Sequence, residues 1–212
     1  MMLFLIFLIP LGLAVIVINY CRRDGTIALP LFPYFLGMLL FLPSFVLASI
    51  LKGLFEPSYT GAGFYFYVFF HEHFIMFALC FGWILLLRNQ LLFKPKENIL
   101  YNILAFIGGY YSLVNVDEYL SHITHLDAYD LFLLPVVNLA LVILAALLLT
   151  QVVRGYGVER YGSFGGLIAL PFAASFVNVF FFRNLPVPAF IGTIILALIA
   201  GALFMFKKEA TA

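Results

Sequence analysis

The sequence predicts an all-α polytopic membrane bundle of about seven transmembrane helices, in a single domain over residues 1–212. Charged residues make up 10% of the chain, whereas soluble proteins carry about 25%. Hydrophobic residues make up 65%, and they occur in long uninterrupted runs. Only helices and closed barrels satisfy the backbone in lipid, and barrel strands alternate in polarity. The continuous runs therefore indicate helices.

Each predicted helix is an apolar run of about 20 residues, which is long enough to cross a hydrocarbon core of about 30 Å. The first run lacks a basic region before it and a small-residue cleavage site after it, so we expect a retained helix rather than a signal peptide. Gly61 and the pair Gly165-Gly166 are expected at helix starts. Ala197 and Gly201 form a small-xxx-small pair that favours close helix approach. The predicted spans are residues 2–20, 30–51, 62–87, 98–120, 130–152, 163–182 and 187–206.

The distribution of basic residues predicts how the chain is oriented. With seven helices, nine of the eleven Lys and Arg residues fall on one side, and only Lys52 and Arg183 fall on the other. The positive-inside rule then places the N-terminus outside and the C-terminus inside. The net charge of +1 gives no surface for a polyanion. The lipid bilayer is therefore the expected environment, and nucleic acid is excluded as a partner.

Two groups of ionisable residues lie within the predicted helices or just beyond a helix end. Within a membrane each such residue costs at least a few kcal/mol and marks a pathway or a site. The first is His71-Glu72-His73, which is either a hydrogen-bond cluster that fixes helix packing or a metal or proton site. The second is Glu118, His122 and His125, which share one face if the helix continues that far. The second group could bind zinc or another divalent metal, or it could be a solvated helix end.

Four uncharged polar residues accompany these groups on the predicted helices. We expect their side chains to line a polar cavity with the glutamates and histidines, shielded from the acyl chains. They are Asn115, Asn138, Ser175 and Asn178.

In order along the chain, five stretches resemble the PrsW family of intramembrane proteases, which are relatives of the type II CAAX prenyl endopeptidases. The first is the aromatic-then-Arg-Asp end of the first helix, and the others are the stretches that carry the polar residues. They are Asn19-Tyr20-Cys21-Arg22-Arg23-Asp24, Phe70-His71-Glu72-His73, Gly109 to Leu120, Leu134-Pro135-Val136-Val137-Asn138, and Pro171 to Asn178.

The resemblance implies that Glu72 and Glu118 are the catalytic glutamates of an intramembrane metallopeptidase. In that family, glutamates and histidines are thought to hold a metal or to activate water for peptide cleavage. The nearby metal candidates are then His71, His73, His122 and His125.

The chain departs from the family pattern at several of these positions. His73 stands where the family has its second glutamate, and Met76 stands in place of a Lys. Asn138 and Ser175 stand in place of two histidines, while Asn178 matches the closing polar position. Neutral Asn and Ser are poor zinc ligands.

The substitutions favour a non-catalytic binding, scaffolding or regulatory membrane subunit, and the expected partner is then a membrane protein. The alternative is an active intramembrane metalloprotease that cleaves a peptide substrate using Glu72, Glu118 and the nearby histidines. A transporter or channel component is disfavoured, because the sequence has no internal repeat. The expected location is the inner (plasma) membrane of a prokaryote.

Overall fold

The structure, a computed structural model, describes residues 31–54, 61–87, 99–122, 128–154 and 157–210. Every regular element in these ranges is a helix, which confirms the all-α prediction for this part of the chain. The first predicted span, residues 2–20, lies outside the described residues. The elements are α1 (Leu31–Lys52), α2 (Gly61–Val68), a π-helical turn (Phe69–Phe74), α3 (Ile75–Leu87), α4 (Ile99–His122), α5 (Ala128–Arg154), α6 (Val158–Phe182) and α7 (Pro186–Ala210).

Six of these helices are long and apolar enough to cross a membrane, when α2, the π turn and α3 are counted as one continuous span. The chain is therefore a multi-pass membrane protein. The observed bounds lie close to the predicted ones except at α6, which begins at Val158 rather than at residue 163.

The expectation that Gly165 and Gly166 mark a helix start was wrong, because both lie inside α6. A Cβ atom on Gly166 would lie 3.2 Å from the Leu148 side chain, so the glycine serves helix packing instead. Gly61 does begin α2, with a φ of +52°.

The helices α4 and α5 form the centre of the bundle, and α1 and α7 form its periphery. In the central helices, 72% of each membrane-spanning segment is buried, compared with 28% in α1 and 17% in α7. The exposed faces of α1 and α7 carry large apolar side chains such as Leu39, Ile50, Ile191 and Leu198. Lipid tails are as apolar as a protein core, so they solvate such faces without a penalty.

The helices α1 and α4 meet at a crossing of two glycines. A Cβ atom on Gly37 would lie 2.1 Å from the Phe106 carbonyl oxygen, and one on Gly109 would lie 2.0 Å from the Tyr34 carbonyl oxygen. The two backbones can approach this closely only because neither residue has a side chain. Beside the crossing, the Tyr34 hydroxyl and Ser112 Oγ are hydrogen bonded at 2.8 Å.

The helices α5 and α6 pack antiparallel with a defined register. Ser163 Oγ donates to Gln151 Oε1 at 2.7 Å, and Gly166 lies against Leu148. The register sets Leu148 of α5 level with Gly166 of α6. Ten residues earlier on α5 and ten residues later on α6, Asn138 therefore lies level with residue 176. Asn138 and Asn178 therefore lie within one helical turn of the same level.

The helices α6 and α7 form an antiparallel hairpin closed by a Schellman turn. The Leu185 amide donates to the Phe180 carbonyl, and the Asn184 amide donates to the Phe181 carbonyl. Asn184 takes the left-handed position with a φ of 51°, which asparagine tolerates better than most residues. The hairpin fixes the end of α6 that carries Asn178.

An aromatic stack joins the π turn to the middle of α6. The Phe69 and Phe172 rings stack at 4.0 Å between centroids. The Tyr65 hydroxyl donates to the Phe172 carbonyl at 2.9 Å, next to Pro171, which interrupts the regular hydrogen bonding of α6. This stack fixes the distance between the π turn and the Asn178 segment.

Candidate functional site

Six of the buried polar side chains of the π turn, α4, α5 and α6 form what we call the polar layer. Each is at most 7% exposed. The layer includes all four residues predicted to line a polar cavity, and the structure buries every one of them. The members are His73, Asn115, Glu118, Asn138, Ser175 and Asn178.

The centre of the polar layer is a hydrogen-bonded trio between α4 and α5. Asn138 Nδ2 donates to Asn115 Oδ1 at 2.7 Å and to Glu118 Oε2 at 2.7 Å. Asn115 and Glu118 lie three residues apart, so both project from one face of α4 towards α5. One amide group of α5 therefore holds two acceptors of α4.

Glu118 orients the Asn138 amide within this trio. An ionised carboxylate only accepts hydrogen bonds, so the amide hydrogens rather than the amide oxygen face it. Asn138 Oδ1 and Glu118 Oε1 are buried and have no hydrogen-bond partner among the described residues. The trio therefore presents two unsatisfied acceptor oxygens to its surroundings.

The π turn places the His71-Glu72-His73 triplet in three different environments. His73 is fully buried, whereas His71 and Glu72 are half-buried. The ring of His71 stacks on that of Tyr67 at 4.1 Å between centroids. The Ile75 amide donates to the Phe70 carbonyl five residues earlier, and such π turns are frequent at functional sites.

The triplet lies close to the trio in space. Glu72 and Lys52 each interact electrostatically with both His73 and Glu118. Asn178 lies beside His73, but neither nitrogen of the His73 ring has a partner that meets hydrogen-bond geometry. Asn178 Oδ1 is likewise buried without a hydrogen-bond partner in the described chain.

Ser175 is buried but turns its hydroxyl back to its own helix. Ser175 Oγ donates to the Pro171 carbonyl at 2.6 Å. The hydroxyl hydrogen is used within α6, so Ser175 fills space in the polar layer and offers no nucleophile to it.

A hydrolytic metal makes a defined demand on the donor set, since it needs about three protein ligands and an open position. Over the ranges that the structure describes, no three His, Cys, Asp or Glu side chains are grouped to hold an ion. The side chain of His122 and all of His125 lie outside the described residues. The metal role predicted for these two, and for His71, Glu72, His73 and Glu118 with them, stays a prediction.

Two features of the site were not foreseen from the sequence. Nothing in the triplet itself signals a π turn, because single-residue expansions of a helix leave no fixed pattern. The approach of Lys52 to Glu118 depends on the geometry of the glycine crossing between α1 and α4. Gly37 and Gly109 are the sequence signal that could have revealed that crossing.

Comparison with known proteins returned no match. No family model matches the chain, and no curated protein and no solved structure matches it significantly.

Proposed function

We propose that this chain is a non-catalytic membrane subunit with a binding, scaffolding or regulatory role, distantly related to the PrsW and type II CAAX proteases. The proposed bundle has seven membrane-spanning helices, with residues 2–20 as the first. It lies in the inner membrane of a prokaryote with its N-terminus outside and its C-terminus inside, and its partner is another membrane protein.

One observation carries this proposal, namely the hydrogen bond from Asn138 Nδ2 to Glu118 Oε2. Glu118 resembles a catalytic glutamate, and Asn138 stands where the family has a histidine. A histidine there would offer a lone pair to a metal, whereas the amide nitrogen offers only hydrogens. The amide thus occupies one oxygen of Glu118 with a hydrogen bond, and the layer supports binding rather than metal-dependent hydrolysis.

Metal analysis of the purified protein tests the non-catalytic role. We expect no stoichiometric zinc in the native chain and no cleavage of a model membrane peptide. Stoichiometric zinc that is lost in both Glu72→Gln and Glu118→Gln, together with cleavage by the native chain, would overturn the proposal. Thr150→Val is the matched control, because Thr150 is buried on α5 and its hydroxyl donates only within its own helix.

Restoring the family residues sharpens the same test. The double variant Asn138→His/Ser175→His returns both histidines to a site that already holds Glu118. If the kinship is real, we expect this variant to bind zinc more tightly than the native chain. Unchanged affinity would contradict the proposed relationship.

The intramembrane metallopeptidase remains a second candidate, because Glu72 interacts electrostatically with both Glu118 and His73. Zinc content and cleavage, measured as above, decide between the two.

Purification in mild detergent tests the subunit role. We expect a membrane protein partner in constant stoichiometry, reduced in Asn138→Leu and retained in Thr150→Val. A chain that always purifies alone contradicts the subunit role.

Reporter fusions test the orientation. A reporter placed after His122 is expected to be active outside, and one placed after Ala212 is expected to be active inside. The reverse result contradicts the proposed topology.

A further inference from the structure

The polar layer contains more hydrogen-bond acceptors than donors. Three oxygens of the layer are buried without a hydrogen-bond partner in the part of the chain that the structure describes: Glu118 Oε1, Asn138 Oδ1 and Asn178 Oδ1. The neighbouring His73 can supply a single N–H while it is neutral. The Tyr111 hydroxyl, which is also buried without a partner and interacts electrostatically with Glu118, can supply a single O–H, so three acceptors face two donors. Unsatisfied buried acceptors are costly, so the imbalance calls for a positively charged or hydrogen-donating occupant.

Two of the three oxygens belong to directly bonded residues, and the third lies on the facing helix near the same level. Glu118 and Asn138 are joined directly by a hydrogen bond of 2.7 Å. The register of α5 and α6, set by the Gly166–Leu148 contact, brings Asn178 within a turn of the Asn138 level. Asn178 also lies beside His73, whose neighbour Glu72 interacts electrostatically with Glu118.

The chemistry of these oxygens selects the class of occupant. Carboxylate and amide oxygens are the ligands of hard cations. Only one of the three ligand oxygens belongs to a charged residue, whereas sites for divalent ions gain affinity from several carboxylates. Lys52 adds positive charge near Glu118, and its repulsion of a divalent ion is twice that of a monovalent ion at the same position.

The surroundings of the layer keep bulk solvent away from its acceptors. Val137, Ala174 and Val177 are buried in the apolar core that α5 and α6 share beside it. The three acceptor atoms are themselves closed to solvent. An occupant would therefore exchange its hydration for these protein oxygens, which favours a small ion or a water molecule over an organic molecule.

We propose that the polar layer binds one monovalent metal cation through Glu118 Oε1, Asn138 Oδ1 and Asn178 Oδ1. This inference rests on the proposed function, because it names the ligand of the binding site assigned there. Buried side-chain oxygens between transmembrane helices supply the coordination, and Glu118 supplies the countercharge.

Thermal unfolding of the purified full chain in detergent tests the proposal, with sodium as the probe and with potassium and choline chloride at equal ionic strength for comparison. At a sodium concentration about five times Kd, we expect the Tm to rise by about 2–4 °C over choline. A rise with potassium instead also supports a monovalent site. Equal Tm values in all three salts mean that water alone fills the layer, which overturns the proposal.

Two variants and two matched controls locate the effect. Glu118→Gln and Asn138→Leu are expected to lose the shift. The exposed Glu159→Gln, which removes the same charge on α6, and Thr150→Val on α5 are expected to keep it. A shift that persists in Glu118→Gln overturns the proposal.

Glu118→Gln also keeps the test valid if Asn138→Leu does not fold. It preserves the shape of the side chain and the oxygen that accepts from Asn138. Its new amide can donate to Asn138 Oδ1, so we expect its Tm in choline to equal or exceed that of the native chain. Direct binding of radioactive sodium, with an expected stoichiometry of one, provides the second measurement.

Failure here is distinguishable from failure of the proposed function. Loss of the sodium effect leaves the zinc, cleavage and co-purification results unchanged. Conversely, stoichiometric zinc with peptide cleavage overturns the non-catalytic role whatever the sodium result.

Discussion

Two faces of α4 make opposite kinds of contact. Gly109 faces α1, and Glu118, nine residues later and half a turn round the helix, faces α5. At Gly109 the contact is close backbone packing, and the adjacent Tyr34 and Ser112 hydroxyls are paired. At Glu118 the contact is a hydrogen-bonded trio that leaves buried oxygens unsatisfied.

The comparison shows which contact serves assembly alone. Helices associate in lipid through close packing and interhelical hydrogen bonds, and the glycine crossing needs nothing more. The polar layer retains unsatisfied acceptors that an apolar interface would avoid. Such groups are costly in a membrane and mark functional positions, so the polar layer is where we seek the function.

The largest effect is expected at the glycine crossing. In Gly109→Ala, the new Cβ would meet the Tyr34 carbonyl oxygen at 2.0 Å. Because this oxygen belongs to the backbone, it cannot move away by a change of rotamer. Overpacking of this kind costs about 3 kcal/mol of unfolding free energy, measured by unfolding in detergent.

Gly108→Ala is the matched control for that prediction. Its Cβ would meet nothing within 4 Å, and alanine favours the helix by about 1 kcal/mol over glycine. Equal stability of the two variants would show that the crossing is not close-packed.

A smaller effect is expected at the polar layer. Asn138→Leu removes the donor shared by Asn115 and Glu118 and leaves both acceptors unsatisfied, which costs about 1–2 kcal/mol. Unfolding of this variant beside Thr150→Val measures the difference. A loss as large as that of Gly109→Ala would show that the trio is as important to assembly as the glycine crossing.

A still smaller effect is expected at the aromatic stack. Tyr65→Phe loses the hydrogen bond to the Phe172 carbonyl but keeps the ring, so we expect a loss of about 0.6 kcal/mol. Tyr161→Phe, at a side chain that is 78% exposed, is expected to change the unfolding free energy by less. A larger loss of unfolding free energy in Tyr161→Phe than in Tyr65→Phe would contradict the assigned hydrogen bond between Tyr65 and the Phe172 carbonyl.

The smallest loss of stability is expected on the lipid-facing surface. A Cβ on Gly201 meets nothing within 4 Å, so Gly201→Leu is expected to cause no loss of unfolding free energy and, like Gly108→Ala, only the gain from removing a helical glycine. A changed elution volume for this variant would show that Ala197 and Gly201 pack against a second molecule.

The sequence was sufficient to predict the helices because their signal is local. An apolar run such as 187–206 gives α7, since only a helix satisfies its backbone in lipid. The early start of α6 was missed because Gly165 and Gly166 were taken as a boundary, whereas the contact with Leu148 depends on the tertiary register.

The site was predicted as a set of residues but not as a geometry. Asn138 and Glu118 are far apart in the sequence, and no local pattern shows that the Asn138 amide donates to the Glu118 carboxylate. The burial of His73 rather than Glu72 follows from the π turn, which changes the direction of each side chain after Phe69. The metal expectation came from side-chain types, and it stays a prediction, because side-chain types do not give the positions of the ligands.

The central claim is that the Asn138 amide holds Glu118 between α4 and α5, and a double-mutant cycle tests it most directly. Unfolding free energies are measured in detergent for the native chain, Glu118→Ala, Asn138→Ala and the double variant. We expect a coupling free energy of about 0.6–1.7 kcal/mol, the range found for hydrogen bonds between transmembrane helices. A coupling of zero would contradict the account.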